Sequence, residues 1–346
     1  MDNSTEQAYF VSVITPARNE ERYIGTMLND FLHQDYPSHL RELIVVDGNS
    51  EDNTKSIVQE FARLHPELNI SVLDNPQRLV APGYNLGVRA ARGQILCRVD
   101  AHASIPPDYL RIGVQLLQEH APERVGCVGG VTQTVGAGFW GRAFSAMLNS
   151  PFGVGNAKFR YANKPGYVDT IAFYLVWRRI LDEVGFYRED LVRSEDLEFN
   201  VRIRQRGWKF FLYPELKTTT QARASLGGFV KQAFRNGFWA MATWRISCIR
   251  HFIPFIFVCT LAILGVGSLL FKPLAALFWA LVLTYGAAAI YFSFKSISGS
   301  KDWPRLLILP PLFLLLHMSY GIGGWWALLS YRFKRARTIS DSDLDN

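Results

Sequence analysis

The chain has 346 residues, of which 49% are hydrophobic, 14% aromatic and only 19% charged. This composition excludes an intrinsically disordered chain, and the length is sufficient for two compact units or for one domain with an annex. Residues 1–250 read as an ordinary globular sequence, whereas residues 252–330 are almost free of charge. We therefore predict one soluble domain followed by a membrane segment.

The cysteines, the amino-terminal sequence and the charge distribution bear on compartment and partners. Cysteines occur at positions 97, 127, 248 and 259 without paired spacing, which indicates neither a disulfide framework nor a zinc site and favours a reducing compartment. The first ten residues do not have the pattern of a signal peptide, so we expect residues 1–250 to be cytosolic. Lys and Arg concentrate at 193–250 and 332–337, which favours anionic lipid or a phosphorylated substrate over nucleic acid as the partner of this basic chain.

The first hundred residues alternate between strand-like and helix-like segments. Strands are predicted at Tyr9–Thr15, Arg41–Asp47, Asn69–Asp74 and Gln94–Asp100, with helices at 19–32, from 52 onward and at 81–91. This alternation predicts an α/β fold with a mostly parallel sheet and a ligand crevice at the carboxyl ends of its strands. Neither a Gly-x-Gly-x-x-Gly motif after the first strand nor a Walker loop occurs, which argues against dinucleotide and ATP binding.

The second and fourth of these strands end in Asp47 and Asp100, and acids at strand ends suit a nucleotide that is not cradled by glycines. Asp47 can accept a hydrogen bond from a base N–H or a ribose hydroxyl. Asp100, with His102 two residues later, can hold a divalent cation that neutralises a diphosphate. Capping of the next helix is the alternative for one such aspartate, but two of them in register favour ligand binding.

Three later segments complete the soluble part. Residues 150–165, with four glycine or proline residues and two asparagines, predict a long loop of the kind that often covers a site. Glu195-Asp196 opens a helix-like run, and helix capping is one role for its carboxylates. Residues 225–250 alternate bulky apolar residues with cations, which predicts a helix in the headgroup plane that holds the domain against the bilayer.

The apolar segment contains three stretches, Phe252–Phe271, Pro273–Phe294 and Leu306–Ser330. The first two are long enough to cross a hydrocarbon core of about 30 Å and predict a helical hairpin. Pro310-Pro311 and Gly321–Gly324 interrupt the third stretch. Three spans would place the basic tail outside, against the positive-inside tendency. We therefore prefer two spans with a re-entrant or interfacial third segment.

Several motifs follow one another in a fixed order: Val11–Glu21, Leu43–Asp52, Asn75–Arg78 with Gly83–Gly87, Asp100-Ala-His, and Ser194-Glu-Asp-Leu-Glu. The series resembles the family 2 glycosyltransferases of the GT-A fold, with Asp100-Ala-His at the family's Asp-x-Asp motif. Within that family, Ser150–Asn156 and Tyr320-Gly-Ile-Gly are similar to exopolysaccharide glycosyltransferases of the succinoglycan type. The resemblance covers nearly the whole chain.

The resemblance implies roles for the matched residues. The nucleoside pocket would be lined by Thr15, Pro16, Arg18 and Glu20, with Asp47 and Arg78 on the base or ribose. Asp100 and His102 would bind the metal and the diphosphate. Asp196 would deprotonate the acceptor hydroxyl, and its neighbour Glu195 is the weaker candidate.

Two departures from the family pattern are visible. His102 replaces the usual second aspartate, and because imidazole is a poorer ligand for Mg²⁺ than for Mn²⁺, we expect Mn²⁺ as the cofactor. Gln232 and Arg235 resemble the Gln-x-x-Arg-Trp of processive synthases, but Asn236 follows, which counts against a channel-forming synthase. Both residues are kept as candidates on the nucleotide diphosphate, and lipid anchoring is the alternative for Arg235.

The resemblance thus implies an inverting, metal-dependent hexosyltransferase of the inner (plasma) membrane, multi-pass, with its catalytic domain in the cytosol. We expect a GT-A domain at 1–224, an interfacial helix at 225–250 and transmembrane helices at 251–346. The expected donor is a nucleotide-diphosphate hexose, with UDP-glucose preferred, and the expected acceptor is a polyprenyl-diphosphate-linked saccharide in exopolysaccharide biosynthesis. A polyprenyl-monophosphate glycosyltransferase, or an inactive nucleotide-binding partner of a polysaccharide assembly complex, is the alternative.

Overall fold

A computed structural model describes residues 8–222, 225–297 and 303–333. The expectations for residues 1–7 and for the basic tail beyond residue 333 lie outside the described residues. The chain forms two compact units: the first comprises residues up to Gln133 together with Ala162–Gln221, and the second comprises Thr134–Tyr161 together with the residues from Ala222 onward. The predicted catalytic domain runs without interruption from residue 1 to 224, whereas in the structure residues 134–161 belong to the second unit.

The secondary structure follows the alternation that the sequence predicts. The strands are β1 (Val11–Ala17), β2 (Arg41–Asp47), β3 (Ile70–Asp74), β4 (Ile95–Arg98), β5 (Ala103–Ser104), β6 (Val125–Gly129), β7 (Thr132–Val135), β8 (Gly166–Val168), β9 (Leu175–Trp177), β10 (Lys209–Leu212) and β11 (Thr218–Gln221). The helices are α1 (Ile24–Leu32), α2 (Thr54–Leu64), α3 (Val80–Ala90), α4 (Tyr109–Glu119), α5 (Gly138–Leu148), α6 (Pro151–Val154), α7 (Arg178–Val184), α8 (Glu195–Gln205), α9 (Leu226–Ala242), α10 (Ile253–Ser268), α11 (Lys272–Lys295) and α12 (Trp303–Phe333).

In the first unit, eight strands of the described chain form one sheet in the order β3-β2-β1-β4-β9-β6-β10-β8. β1 pairs in parallel with β2 on one side and with β4 on the other. β9 is antiparallel to both β4 and β6. Because the chain order reverses at β1, the crevice for a ligand is expected at the carboxyl ends of β1 and β4. The predicted α/β class with a mostly parallel sheet is confirmed.

Three predicted boundaries are wrong at the functional edge of the sheet. β1 ends at Ala17 rather than at Thr15. β4 ends at Arg98, so Asp100 lies in the turn that follows the strand. α1 begins at Ile24 rather than at Asn19, because Asn19 has a left-handed backbone with φ of 55°, which a helix cannot contain. The earlier end of β4 and the later start of α1 lengthen the loops beside the crevice.

The second unit is a helical assembly with its own apolar core. Helices α5, α9 and α12 supply the buried residues of this core: Ala143, Phe144, Met147, Phe229, Ala233, Leu309, Leu312, Phe313 and Leu316. The rings of Phe144 and Phe229 stack with their centroids 4.5 Å apart. The apolar face of α5 is buried against α9 and α12. This burial explains why residues 134–161 group with the carboxyl-terminal helices.

The expected long loop at 150–165 contains the short helix α6. The Ser150 hydroxyl accepts a hydrogen bond from the Phe152 amide at its start. His317 Nε2 lies 3.0 Å from the Phe152 carbonyl oxygen, and His317 Nδ1 lies 2.8 Å from the Tyr285 hydroxyl. Because a carbonyl only accepts, Nε2 donates to it and Nδ1 accepts from the tyrosine. His317 thereby ties α6 to helices α11 and α12.

The third apolar stretch forms one continuous helix, so the expected interruption at Pro310-Pro311 is wrong. The missing proline N–H groups are tolerated where buried side chains such as Leu309 and Phe313 hold the helix in a core. The glycines near its end serve close packing: a Cβ on Gly321 would lie 2.5 Å from the Pro254 carbonyl oxygen of α10.

Among the described residues, three helices are long and apolar enough to cross a membrane: Ile249–Ser268, Lys272–Lys295 and Trp303–Ser330. Within the most apolar window of each, 6%, 6% and 39% of the residues are buried inside the protein. The first two therefore expose nearly all of their apolar surface, as expected for helices that face lipid. These helices indicate a membrane association.

We predict opposite effects for two glycine-to-alanine changes within α9. A Cβ at Gly237 would lie 1.8 Å from the Tyr320 carbonyl oxygen, whereas a Cβ at Gly227 meets no atom within 4 Å. Gly237→Ala should force α9 away from α12 and lower the Tm of the detergent-solubilised protein by several degrees. Gly227→Ala should leave the Tm unchanged or raise it, because alanine favours a helix by roughly 1 kcal/mol over glycine. Equal Tm values for the two variants would contradict this packing.

Candidate active site

The site is built on the ends of β1 and β2. Thr15 of β1 is fully buried, and Asp47, the last residue of β2, is 3% exposed. Thr15 Oγ1 and Asp47 Oδ1 have no hydrogen-bond partner among the described residues, while Asp47 Oδ2 accepts from the Ser50 amide at 3.1 Å. A buried polar atom without a partner costs about 1–3 kcal/mol, which marks this edge as a place where a polar ligand would be stabilised.

The loops after β1 and β2 are locked together. Asn19 donates its amide to Ser50 Oγ at 3.0 Å and accepts from the Glu51 amide at 2.8 Å. The Glu20 amide donates to Thr54 Oγ1 at 2.7 Å. These bonds hold the loop residues Arg18 and Glu20 beside the end of β2, while Pro16 lies within β1 opposite Val46 of β2.

Arg78 reaches the same edge from the segment after β3. Its backbone is left-handed, with φ of 61°, and its Nη1 lies 3.9 Å from Glu51 Oε1 on the loop after β2. The side chain is 46% exposed, so it is accessible to a ligand. The structure thus brings the residues predicted for the nucleoside, Asp47 and Arg78 among them, to one edge of the sheet.

Asp100 and His102 lie in the turn after β4. Asp100 Oδ1 accepts from Arg98 Nε at 2.9 Å, and His102 Nδ1 lies 2.9 Å from Glu20 Oε1. Burial would raise the pKa of the Asp100 carboxyl, but the positive charge of Arg98 and the neighbouring His102 hold that pKa below its usual range. Asp100 is therefore a carboxylate at neutral pH, as a metal ligand must be.

Asp100 and His102 fit a metal that is shared with a phosphorylated ligand. Within the part of the chain that the structure describes, no three His, Cys, Asp or Glu side chains converge into a closed metal cage. One carboxylate and one imidazole in the same turn, completed by phosphate oxygens and water, would match how Mg²⁺ and Mn²⁺ are bound at such sites.

Glu195 and Asp196 form the first turn of α8. Ser194 before them has a left-handed backbone with φ of 64°. Glu195 is buried at 8% exposure, whereas Asp196 is exposed and accepts from the Leu197 amide at 2.7 Å through Oδ1. Burial and the adjacent charge of Asp196 raise the pKa of Glu195 to about 7. The two neighbouring carboxylates therefore face different environments, and Asp196 is the one open to a substrate.

Arg98 is a site residue that the sequence reasoning missed. Its side chain is 12% exposed, with Nη1 3.6 Å from Glu195 Oε1 and 3.4 Å from the Tyr187 hydroxyl. The guanidinium carbon lies 5.7 Å from the centre of the Tyr187 ring. The available signal was a single cation in the otherwise apolar β4, two residues before Asp100.

The sequence motifs name three further residues, which have different surroundings: Glu198, Gln232 and Arg235. Glu198 is buried and makes two hydrogen bonds of 2.8 Å with Arg202, which also donates to the carbonyls of Val184 and Phe186. This pair fixes α8 to the loop before it. Gln232 and Arg235 are half-buried residues of α9 in the second unit, and their contact with a nucleotide remains a prediction.

Comparison with known proteins bears directly on this arrangement. The model of glycosyl transferase family 2 matches residues 12–184, half of the chain, from β1 to the end of α7. The chain belongs to this family. It is a glycosyltransferase, as the resemblance implied, and the matched region contains Asp47, Asp100 and His102.

Two relatives align over nearly their whole length. One is the dolichyl N-acetyl-alpha-D-glucosaminyl phosphate 3-beta-D-2,3-diacetamido-2,3-dideoxy-beta-D-glucuronosyltransferase of Methanococcus voltae, 26% identical over 90% of this chain and 95% of the relative. The other is the succinoglycan biosynthesis protein ExoA of Rhizobium meliloti (strain 1021), 24% identical over 92% of this chain and 95% of the relative.

Among solved structures, the mannosyltransferase PcManGT from Pyrobaculum calidifontis, in complex with GDP-Man and Mn²⁺, resembles this chain with a TM-score of 0.58. It is 22% identical, and the match covers 94% of this chain and 88% of that one. This likeness supports the assignment of the GT-A fold.

We predict that two arginine-to-methionine changes near α8 differ strongly in cost. Arg202→Met leaves the buried Glu198 carboxylate without its guanidinium, a loss of about 3 kcal/mol or more. Arg188→Met removes an exposed pair with Asp190, whose side chains are 55% and 62% exposed, and should cost less than about 1 kcal/mol. Thermal denaturation of the two variants measures the difference, and a larger Tm loss for Arg188→Met would refute the assignment.

Proposed function

We propose that this glycosyltransferase moves a hexose from a nucleotide diphosphate to a lipid-linked saccharide at a membrane surface, with inversion at the anomeric carbon. The observation that carries the proposal is the grouping of Asp47, Asp100, His102, Glu195 and Asp196 in the first unit of a family 2 chain. A donor site at the ends of β1 and β4, with an exposed carboxylate at the start of α8, suits a single displacement.

The donor is held by the edge of β1 and β2. Asp47 and Thr15 offer buried polar atoms to a nucleoside, and the exposed cations Arg18 and Arg78 flank them. We take UDP-glucose as the preferred donor because of the likeness to succinoglycan-type enzymes. Donors differ among similar proteins, since PcManGT was solved with GDP-Man, so other nucleotide sugars belong in the first assay.

Asp100 and His102 would hold one divalent cation together with the diphosphate. When bound, that cation neutralises charge on the leaving diphosphate. The imidazole favours Mn²⁺ over Mg²⁺, and Mn²⁺ is present in the PcManGT complex. Arg235 of α9 is proposed as a further cation for the diphosphate when the acceptor is bound, with Gln232 beside it.

Asp196 acts as the base. The acceptor hydroxyl attacks the anomeric carbon from the face opposite the diphosphate, and its proton passes to an oxygen of the Asp196 carboxylate. The new bond from the acceptor oxygen to the anomeric carbon forms as the bond to the diphosphate oxygen breaks, which inverts the configuration. Glu195 stays beneath Asp196, turned towards Arg98.

The acceptor is proposed to be a saccharide on a polyprenyl diphosphate, used in exopolysaccharide assembly. The apolar helices support a lipid acceptor, and the name of the M. voltae relative refers to a dolichyl-linked sugar phosphate. Direct transfer to a polyprenyl monophosphate is the second candidate, and product analysis with both lipids separates the two. An inactive nucleotide-binding role is disfavoured because Asp100, His102 and Asp196 are all present.

In the membrane, we propose that α10 and α11 cross the bilayer, that α9 lies at its cytosolic surface, and that α12 is a re-entrant segment that packs on the middle of α11 through His317 and Tyr285. α9 buries one face, including Phe229, Ala233 and Gly237, and exposes Lys231. Insertion of a charged residue such as Lys231 into hydrocarbon costs about 3 kcal/mol, so the exposed face of α9 belongs at the headgroups. The catalytic unit and the tail are then both cytosolic, in a multi-pass protein of the inner membrane.

We predict that Asp196→Asn lowers the transfer rate by roughly 100-fold or more, because it removes the base, while donor affinity stays within a few-fold. The purified full-length protein is assayed with a panel of nucleotide sugars and a lipid-diphosphate saccharide. Asp190→Asn is the matched control, since Asp190 is an exposed acid paired with Arg188, and it should keep full activity. Full activity of Asp196→Asn would exclude Asp196 as the base.

We predict that His102→Asp moves the metal preference from Mn²⁺ towards Mg²⁺, because a carboxylate replaces an imidazole. Transfer rates in each metal give the ratio, and binding of Mn²⁺ in the presence of UDP gives the affinity. His120→Asp is the control, since His120 also pairs with a glutamate, Glu123, at 3.0 Å on the surface. An unchanged metal ratio in His102→Asp would show that His102 is not a ligand.

A further inference from the structure

Arg98 is a buried cation that touches two carboxylates from separate parts of the chain. Its Nε lies 2.9 Å from Asp100 Oδ1 and its Nη1 lies 3.6 Å from Glu195 Oε1. We propose that Arg98 is a positioning residue, which links the carboxylate on the diphosphate side of the reaction to the helix that carries the base. The proposal rests on the roles given above to Asp100 and Asp196.

Arg98 is itself held in place by Tyr187. The Tyr187 hydroxyl lies 3.4 Å from Arg98 Nη1, and its ring stacks on Tyr84 of α3 with the centroids 4.4 Å apart. The Tyr187 backbone is fixed on both sides by the Asn85 side chain, which donates to its carbonyl at 2.9 Å and accepts from its amide at 3.0 Å. Because Tyr187 is itself held by Tyr84 and Asn85 of α3, its contact with Arg98 restricts the position of the guanidinium.

The link explains how Asp196 keeps its place while exposed. Asp196 has one described hydrogen bond, to the amide of the next residue, so its position depends on the first turn of α8. Glu195 in that turn is paired with Arg98, and the backbone carries the constraint to Asp196. Without Arg98, the Asp100 and Glu195 carboxylates would face each other without a shared cation, and the start of α8 would move away.

A planar guanidinium meets all three partners at once because its nitrogens diverge at fixed angles. Lysine keeps the charge but presents a single nitrogen, so it cannot reach Asp100, Glu195 and Tyr187 together. A role in charge balance alone would survive Arg98→Lys, whereas a positioning role would not. A misplacement of about 1 Å is enough to slow a displacement by up to roughly 100-fold.

The test compares Arg98→Lys with Arg202→Lys in the full-length protein. Arg202 is the matched control because it is also a guanidinium bound to a glutamate of α8, Glu198. For Arg98→Lys we expect kcat per folded molecule to fall at least about 10-fold, with the affinity for UDP in Mn²⁺ within about 3-fold. For Arg202→Lys we expect a lower Tm and an unchanged kcat per folded molecule. A normal kcat in Arg98→Lys would overturn the proposal.

A double-mutant cycle tests whether Arg98 acts through Glu195. If it does, Arg98→Gln combined with Glu195→Gln should be little slower than either single variant, because both remove the same link. Multiplicative losses would overturn the proposal. If the Arg98 variants do not fold, Glu195→Gln alone decides: about a 10-fold lower kcat at unchanged UDP affinity is expected, and a normal kcat refutes the link.

The proposed function and this inference fail in different ways. Full transfer by Asp196→Asn, or no transfer by the wild-type protein with any donor, removes the proposed mechanism itself. A normal kcat in Arg98→Lys, together with an inactive Asp196→Asn, removes only the positioning role of Arg98.

Discussion

The pairing of β1 with β2 on one side and β4 on the other is the constraint on which the active site depends. β1 and β2 are in register from Val11 with Arg41 to Ala17 with Asp47, so their carboxyl ends meet at one edge. The strands are buried almost completely and cannot slip without exposing apolar side chains to water. The loops that carry the candidate nucleotide residues therefore start from fixed points.

Charge is the second constraint, since the site places several ionisable groups in a poorly solvated space. Two carboxylates, Asp100 and Glu195, share the cation Arg98. Burial alone would neutralise acids in such a place. Arg98 keeps Asp100 charged, as a metal ligand requires, while Glu195 titrates near neutral pH. The exposed Asp196 is left as the carboxylate that a substrate can reach.

The second unit gives a physical reason for the segment between β7 and β8. Its helix α5 contributes to the apolar core of that unit, and α6 is held by the hydrogen bonds of His317. At the end of β7 the chain therefore passes into the second unit, where residues 134–161 pack among the carboxyl-terminal helices, and it re-enters the first unit before β8. The carboxyl-terminal helices thus share one apolar core with residues 134–161, a segment that the chain inserts between two parts of the first unit.

The sequence by itself determined the features that depend on local pattern and length. Strand-like runs predicted β1 to β4, and Asp47 and Asp100 indicated the ligand-binding edge at the carboxyl ends of these strands. The long uncharged stretches predicted the apolar helices. Ordered motifs such as Asp100-Ala-His indicated the family. Each of these features is set by residues that are neighbours in the sequence, so it can be predicted without knowing which distant residues are in contact.

Only the tertiary structure decided which distant residues meet. Arg98 and Tyr187 are 89 positions apart, and nothing in their local sequence predicts that they touch. Contacts between distant segments also explain why α12 is continuous through Pro310-Pro311 and why residues 134–161 belong to the second unit. Burial against other elements outweighs local preference there, because the free energy of packing is shared by segments that are far apart in the chain.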